Sequence, residues 1–441
     1  MHVQASPPDP TRRTVLLGSV GGLALVGGIG SSALYRSRHV EVPLHAETVA
    51  LEAAGVSVAV PPGQASRVIP GTRVLRAAAG ADALVADEKR WLASGSAWTA
   101  TSPEADLARG ALLDLRALTL ASGVTVAGWS PPWHYVWPRD AAHAAVAFAA
   151  TGHVDEALPL LRFLARVQDP NGWFEARYLP DGSGPPDDRP RQVDGPGWAL
   201  WATGSVAAAL PEDRAQALLT EVRPMLDRAT ALVLGVTQDG SRFPAPSPDY
   251  WEVAEDAVTL GAVAPLASGL RGSATAYGLV GADHQSQRCT DAADALTELV
   301  VGHFGPQGFP RHLGGDDPDA AIAFLGPPYA PAVARTGARI AAVLPRTESR
   351  MLRPAGGVAP GSSWKDDGTS WTPETALLAL AYAGSGRPDE ARRMLDWLGR
   401  HRTAAGSLPE KVIHDGRPAA VAPLAWTASV VLLTLAQLQG A

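Results

Sequence analysis

The chain has little of what disulfide, metal or nucleic-acid chemistry requires. Cys289 is its single cysteine, so no disulfide can form within the 441 residues. The eleven histidines are dispersed and no His-Glu-x-x-His motif occurs, so the sequence indicates no metal site. There is no Gly-x-Ser-x-Gly nucleophile motif and no phosphate-binding P-loop, and we expect no cofactor. Only three of the 37 basic residues are lysines, and the arginines are scattered among acids, which argues against a nucleic-acid partner.

An uncharged segment near the N-terminus predicts export. The pair Arg12-Arg13 precedes residues 15–34, which carry no charge and contain six glycines. This combination is typical of a twin-arginine signal, with Ser31-x-Ala33 as a candidate cleavage site. The alternative is a membrane anchor through residues 15–34, since about 20 uncharged residues just span a bilayer. Either interpretation of residues 1–39 places the rest of the protein outside the cytoplasm, extracellular or in the cell envelope.

Beyond this segment the sequence predicts a short extended region and then a long helical domain. Alternating valines and two Pro-Gly turns favour extended or β structure over residues 40–81. Residues 82–441 show about a dozen helical segments separated by long loops that are rich in proline, glycine and tryptophan. Aromatic loops at one end of many paired helices fit a cleft that binds a flat apolar surface. The predicted fold is therefore all-α, an (α/α)6 barrel, preceded by a short β segment.

The stretch Trp137-Pro138-Arg139-Asp140, before a helix expected at 141–150, allows two interpretations. Proline and aspartate are ordinary residues in a first helical turn. A guanidinium next to a carboxylate also offers fixed donors and acceptors to neighbouring hydroxyl groups.

Four blocks of the sequence resemble glycoside hydrolase family 15, the glucoamylase family. In order along the chain they are His134–Ala142, Gln192–Gly197, Tyr250–Glu252, and Ser407–Lys411 followed by Pro423–Trp426. The resemblance implies an (α/α)6 barrel and an inverting, exo-acting hydrolase that releases glucose from the non-reducing end of α-linked glucans or oligosaccharides. The substrate partner would accordingly be a carbohydrate.

The resemblance also implies roles for individual residues. Glu252 would protonate the leaving oxygen and Glu410 would activate water, a division that requires two carboxyl groups roughly 6.5–9.5 Å apart. For both glutamates the ordinary interpretation is an exposed acid at a helix start. Trp251 would give Glu252 an apolar wall that favours its protonated form. The residues expected to bind substrate are Trp137, Arg139, Asp140, Asp194, Trp251, Arg353 and Trp426.

Some positions depart from the family pattern. Val253 stands where the family often has a second carboxylate, with Glu255 further on, and Trp133 stands where it usually has a tyrosine. Arg353 is the best match to a family arginine, with Arg346 and Arg350 as alternatives. Three hypotheses therefore stay open: an exo-acting α-glucosidase, a related hydrolase of trehalose or a cell-envelope glycan, and a catalytically weak carbohydrate-binding barrel.

Overall fold

A β-hairpin precedes the helices. The computed structural model describes residues 39–95, 103–331 and 334–440, so the predicted export signal lies, apart from His39, outside the described residues. β1 (Thr48–Ala53) pairs antiparallel with β2 (Val56–Val60) around Gly55, whose φ of 72° suits glycine. A 3-10 turn at Ala65–Arg67 follows. The short N-terminal β segment expected from the alternating valines is thus present.

The described part of the chain contains thirteen α-helices. They are α1 (Ala81–Ser94), α2 (Pro103–Leu118), α3 (Pro138–Ala150), α4 (Val154–Val167), α5 (Asp194–Ala208), α6 (Glu212–Glu221), α7 (Arg223–Thr237), α8 (Leu260–Leu279), α9 (Asp283–His303), α10 (Ala334–Met351), α11 (Thr372–Gly384), α12 (Pro388–Arg400) and α13 (Ala425–Gln439). None of them is long and apolar enough to cross a membrane, and residues 15–34 are not among those described.

The helices form two concentric rings. In the inner ring α3, α5, α8, the 3-10 helix Ala320–Leu325, α11 and α13 each contact the next, and α13 closes on α3. Helices α2, α4, α7, α9, α10 and α12 lie outside and contact α13, α3, α5, α8, α11 and α11 respectively. The (α/α)6 barrel is confirmed, with one difference. The fourth of the six inner positions holds six residues of 3-10 helix in place of an α-helix.

Inner helices are buried on nearly all sides because they are surrounded by protein. All residues of α13 from Ala425 to Leu435 are buried. Small residues let two inner helices approach closely: a Cβ atom on Gly204 of α5 would lie 2.3 Å from the carbonyl oxygen of Gly272 on α8. Outer helices bury one stripe only, as α12 does with Met394, Leu395 and Leu398. The burial pattern therefore separates the two rings.

The first turns of three inner helices meet at one end of the barrel. Residues from the starts of α3, α11 and α13 line the same cavity. α3 begins at Pro138, three residues earlier than expected, so Arg139 and Asp140 lie inside its first turn. A small antiparallel sheet of β3 (Ser370–Trp371), β4 (Lys411–Val412) and β5 (Pro418–Ala419) joins the start of α11 to the predicted base segment.

Candidate active site

A cavity of about 260 Å³ lies where these helices begin. Its wall combines aromatic and charged side chains. The tryptophans are Trp133, Trp137, Trp251, Trp364, Trp371 and Trp426; the carboxylates are Asp140, Glu252, Glu374 and Glu410; and the arginines are Arg139, Arg177 and Arg189. Flat apolar rings next to convergent polar groups are typical of small-molecule sites.

The structure brings together most of the residues that the sequence singled out. Seven of them line the cavity: Trp137, Arg139, Asp140, Trp251, Glu252, Glu410 and Trp426. Asp194 is fully buried behind Trp137 and Arg139, where its Oδ2 accepts a hydrogen bond of 2.9 Å from Trp198 Nε1. Burial raises the pKa of Asp194 to about 7, although the charge of Arg139 opposes the shift. Asp194 therefore supports the cavity wall from behind.

Arg353, like Asp194, does not line the cavity; it binds the backbone of a neighbouring loop. Its guanidinium donates to the carbonyl oxygens of Met351, Leu352 and Trp364 at 3.2, 3.3 and 3.4 Å. It thus fixes the path of the loop that carries Trp364. The alternatives Arg346 and Arg350 do not line the cavity either. The lining arginines besides Arg139 come from the loop before α5.

Arg139 and Asp140 form a buried pair in the first turn of α3. Arg139 Nη2 lies 3.1 Å from Asp140 Oδ2, and its guanidinium carbon lies 4.5 Å from the ring centre of Trp426. Burial raises the pKa of Asp140 to about 6 against the opposing charge of Arg139. Arg139 Nε and Nη1 have no hydrogen-bond partner in the protein. The pair therefore keeps polar capacity that the protein itself does not use.

Glu252 occupies a strained turn. Its φ is 55°, a left-handed conformation that is costly for a residue with a side chain and that clusters at functional sites. Arg189 Nη1 contacts Glu252 Oε2, and Arg139 Nη2 lies 3.8 Å from Oε1. The sequence predicted an apolar wall from Trp251, whereas the structure places two guanidinium groups beside the carboxyl group.

A buried ion cluster fixes this turn. Arg311, 1 % exposed, lies with its guanidinium carbon 3.7 Å from the ring centre of Trp251. It pairs with Asp249 and Asp319 at 2.9 and 3.2 Å, and also with Glu255. Asp249 in turn accepts the Trp251 amide at 2.9 Å. The family-like pattern gave no sign of Arg311, because its partners come from distant parts of the sequence.

The loop that carries Glu410 is anchored on two sides. Asp114 of α2 accepts from Ser407 Oγ at 2.6 Å and from the Leu408 amide at 3.0 Å. The Thr372 amide at the start of α11 donates to the Glu410 carbonyl oxygen at 3.0 Å. These bonds hold the Glu410 backbone in place while the side chain lines the cavity.

The N–H group of a tryptophan and the ammonium group of a lysine contact the Glu410 carboxylate. Trp133 Nε1 donates to Oε1 at 3.2 Å, so this tryptophan supplies a donor at the position where the family usually has a tyrosine. Lys411 Nζ lies 3.4 Å from Oε2 and 4.1 Å from the ring centre of Trp371. The Oε2 atom has no hydrogen-bond partner.

Glu374 is a cavity residue that sequence reasoning missed. It lies in the first turn of α11, is 3 % exposed, and its Oε2 has no hydrogen-bond partner. Burial raises its pKa to about 8. The sequence gave little indication of this role, because an acid that follows a proline, as Glu374 follows Pro373, is common in the first turn of any helix.

Buried polar atoms without partners are concentrated in the cavity wall. The atoms without a hydrogen bond are Trp137 Nε1, Arg139 Nε and Nη1, Asp140 Oδ2, Arg177 Nε, Trp251 Nε1, Trp364 Nε1, Trp371 Nε1, Glu374 Oε2, Glu410 Oε2 and Trp426 Nε1. Asp140 Oδ2 and Glu410 Oε2 also lie within ion-pair distance of Arg139 and Lys411. Leaving such groups unpaired costs free energy, so their concentration at one place points to a ligand rich in donors and acceptors. Within the described ranges no group of three His, Cys, Asp or Glu side chains could hold a metal ion.

Comparison with known proteins identifies the fold. No family model and no curated protein matches the chain. A glycosidase in complex with glucose is similar over 76 % of this chain and 97 % of its own, with 22 % identity and a TM-score of 0.63. A bacterial glucoamylase complexed with acarbose matches 79 % of this chain and 57 % of its own, at 17 % identity and a TM-score of 0.63. Glucoamylase from Saccharomycopsis fibuligera matches 79 % and 97 %, at 13 % identity and a TM-score of 0.57. The chain therefore has the glucoamylase-like six-hairpin glycosidase fold.

Proposed function

We propose that the protein is an inverting, exo-acting glycoside hydrolase that releases glucose from the non-reducing end of α-linked glucans or oligosaccharides. One observation carries the proposal. Glu252 and Glu410, which belong to separate sequence blocks, line one tryptophan-walled cavity whose buried polar atoms lack partners in the protein. A sugar supplies hydroxyl groups for such atoms and an apolar ring face for the tryptophans.

The two glutamates divide the chemistry of hydrolysis. Glu252 gives a proton to the glycosidic oxygen as the bond to the anomeric carbon breaks. Glu410 takes a proton from a water molecule whose oxygen bonds to that carbon from the opposite face. Arg139 and Asp140 hold hydroxyl groups of the terminal sugar, and the Trp133 N–H keeps one oxygen of Glu410 in place.

Cavity size supports action at a chain end. At about 260 Å³ the cavity lies just below the roughly 300–1,000 Å³ usual for small-molecule sites. Such a space fits the end of a glycan better than an internal stretch. Glucose as the bound sugar is the proposal that follows from the resemblance to glucoamylases.

Arg189 has to release Glu252 before the proton is transferred. Its side chain is 39 % exposed and belongs to the long loop before α5, so it can move without disturbing the core. Glu252 is ionised while it is paired with Arg189, so it takes up a proton from water when Arg189 moves away, and it then donates that proton in a hydrogen bond to the entering glycosidic oxygen. Arg139 Nη2, 3.8 Å from Glu252 Oε1, is the more distant of the two ion-pair partners of this carboxyl group.

The decisive measurement is the anomeric configuration of the first product, followed by proton NMR with maltose, isomaltose, trehalose, dextran and cell-envelope glycans as candidate substrates. Inverted glucose from an α-linked substrate supports the proposal, and the preferred member of the panel defines the linkage. A retained configuration would contradict the assigned roles and indicate a covalent intermediate. Sugar binding without turnover would favour the catalytically weak barrel.

Two variants separate the roles of the glutamates. Glu252→Gln should slow hydrolysis of natural glycosides by several orders of magnitude, but glycosyl fluoride much less, because fluoride leaves with little protonation. Glu410→Gln should slow both, and azide should restore part of the activity by attacking from the vacated face. Full activity of either variant would remove that residue from the mechanism.

A further inference from the structure

Glu374 is a third carboxyl group beside the two proposed catalytic glutamates. It lines the cavity together with Glu410, and the Thr372 amide two residues earlier binds the Glu410 carbonyl oxygen. The two side chains therefore belong to neighbouring segments that a backbone hydrogen bond joins. The mechanism proposed above uses Glu410 and leaves Glu374 without a role.

A role limited to helix capping does not explain where Glu374 lies. Its carboxyl group accepts from its own backbone amide, as an exposed first-turn acid can do equally well. Burial adds a desolvation cost for the charged form, and Oε2 receives no compensating bond from the protein. The first turn of α12 shows the ordinary case: Glu390 is part-exposed and paired with Arg387.

The charges around Glu374 favour a neutral carboxyl group. Glu410 and Asp319, which precedes the inner 3-10 helix, both oppose its ionisation, and Arg139 of α3 is the cation that favours it. α13, which packs along α11, contains no charged residue. Glu348 of α10 pairs with Arg393 of α12 and accepts a hydrogen bond from the Tyr382 hydroxyl, near the other end of α11.

We propose that Glu374 is a substrate-binding residue that hydrogen-bonds a hydroxyl group of the sugar in the cavity as a neutral carboxylic acid. A neutral carboxyl group both donates and accepts, which suits a hydroxyl group. It also leaves Glu410 as the charged carboxylate that activates water, with no second negative charge next to it. This inference rests on the proposed function, since it assigns a sugar to the same cavity.

The raised pKa supports this assignment and predicts its pH dependence. Because the pKa of Glu374 is raised to about 8, the acid keeps its proton at neutral pH and loses it above. Ionisation removes the donor and sets a second carboxylate beside Glu410. Sugar binding should therefore weaken as the pH rises through about 8.

Two substitutions test the proposal. Glu374→Gln keeps the size, a donor and an acceptor, but cannot ionise, so KM should stay within about threefold of the wild type at pH near 6 and should no longer rise above pH 8. Glu374→Leu removes the polar group and should raise KM by about 10- to 100-fold, with a smaller change in kcat. Glu390→Gln, at the matching position of α12, is the control and should change neither value.

Binding measured without turnover separates this inference from the proposed reaction. Tryptophan fluorescence titrated with glucose and with maltose reports binding directly, since six tryptophans line the cavity. If the wild type hydrolyses nothing but binds glucose in a way that depends on pH and on Glu374, the reaction proposal fails and this inference stands. If it hydrolyses maltose with inversion while Glu374→Leu behaves like the Glu390→Gln control, the inference is overturned and the reaction proposal stands.

Two further outcomes are equally decisive. If the leucine variant does not fold, the glutamine variant still tests the proposal through its pH profile, and a rise of KM above pH 8 equal to that of the wild type overturns it. The infrared absorption of protonated carboxyl groups near neutral pH should also lose the contribution of one group in Glu374→Gln relative to the wild type, while Asp194 contributes equally to both. Equal intensity in the two proteins would show that Glu374 is not a neutral acid.

Discussion

Asp140, buried beside Arg139, has two possible roles. An aspartate in a first turn stabilises its helix, while in this cavity the same carboxyl group faces unpartnered polar atoms. We expect Asp140→Asn to lower kcat/KM by about 100-fold or more, with little change in melting temperature, since asparagine keeps the size but loses the charge. Steady-state kinetics and thermal unfolding check this prediction.

The control for Asp140→Asn is the same change in another first turn. Asp155 of α4 is 74 % exposed in its side chain and pairs with Arg214 at the surface. Asp155→Asn should leave kcat/KM unchanged and the melting temperature nearly so. A destabilised but fully active Asp140→Asn protein would instead show that Asp140 serves the helix alone.

Asp194 should make stability depend on pH. Its pKa is raised from 3.8 to about 7, so between these values the unfolded chain loses a proton that the folded protein keeps. The free energy of unfolding contributed by this group therefore falls as the pH rises from about 4 to about 7. Asp194→Asn cannot ionise and retains an acceptor for Trp198 Nε1.

Denaturant unfolding at several pH values tests this prediction. The variant should match the wild type near pH 4 and exceed it by about 4 kcal/mol above pH 7. A difference that is constant over this range would mean that Asp194 stays ionised in the folded protein.

Residues with strong local patterns were predictable from the sequence, and those defined by distant contacts were not. The block Trp137–Asp140 and the two glutamates were identified because each lies within a recognisable motif, and the structure places them at one cavity. Arg353 was chosen for its place before Trp371 alone, and it binds backbone carbonyl oxygens instead. Glu374 looked like an ordinary helix start because no local signal tells which helix end faces the cavity.

At the level of elements, small residues set the spacing of the inner ring. The backbone of α5 meets that of α8 at Gly204, where a Cβ atom would lie 2.3 Å from the Gly272 carbonyl oxygen. Backbone on both sides cannot yield as a flexible side chain can, so Gly204→Ala should lower stability by about 2–3 kcal/mol or prevent folding. Gly235 of α7 is exposed with nothing near its Cβ position, and Gly235→Ala should raise stability by about 0.5–1 kcal/mol. Chemical denaturation of the two variants checks both expected changes in stability. A stable Gly204→Ala protein would contradict the close approach of α5 to α8.

The helical pattern predicted the barrel but not its fourth inner element. Ala320–Leu325 is a run of six apolar residues between the N-cap Asp319 and the prolines at 327 and 328. A fully buried segment this short has no polar face, so hydrophobic periodicity cannot reveal whether it is helix, strand or loop. Its position in the ring follows only from contacts with α8 and α11.

At the scale of the whole molecule, the β-hairpin and the residues that follow it contact the residues that hold the loop of Glu410, the proposed catalytic base. Arg73 pairs with Asp114 at 2.6 Å, and the Thr48 hydroxyl of β1 lies 2.6 Å from that of Ser407. Asp114 and Ser407 are the same residues that hold the Glu410 loop. The hairpin and the residues that follow it thus help to hold the loop that carries Glu410, and they form one compact unit with the barrel.

The signal that we expect to direct export lies in a part of the chain outside the described residues. We propose that Arg12 and Arg13 direct the protein out of the cytoplasm through the twin-arginine route, since a receptor reads that pair as an address. Replacement of both by lysine keeps the charge and the uncharged segment 15–34, yet should leave the protein in the cytoplasm.

The same replacement at Arg36 and Arg38 is the control and should leave export unchanged. Cell fractionation followed by immunoblotting reads the outcome for all variants. Normal export of the Arg12/Arg13 variant would exclude the twin-arginine route, while a protein that stays with the membrane fraction after export would favour an uncleaved anchor.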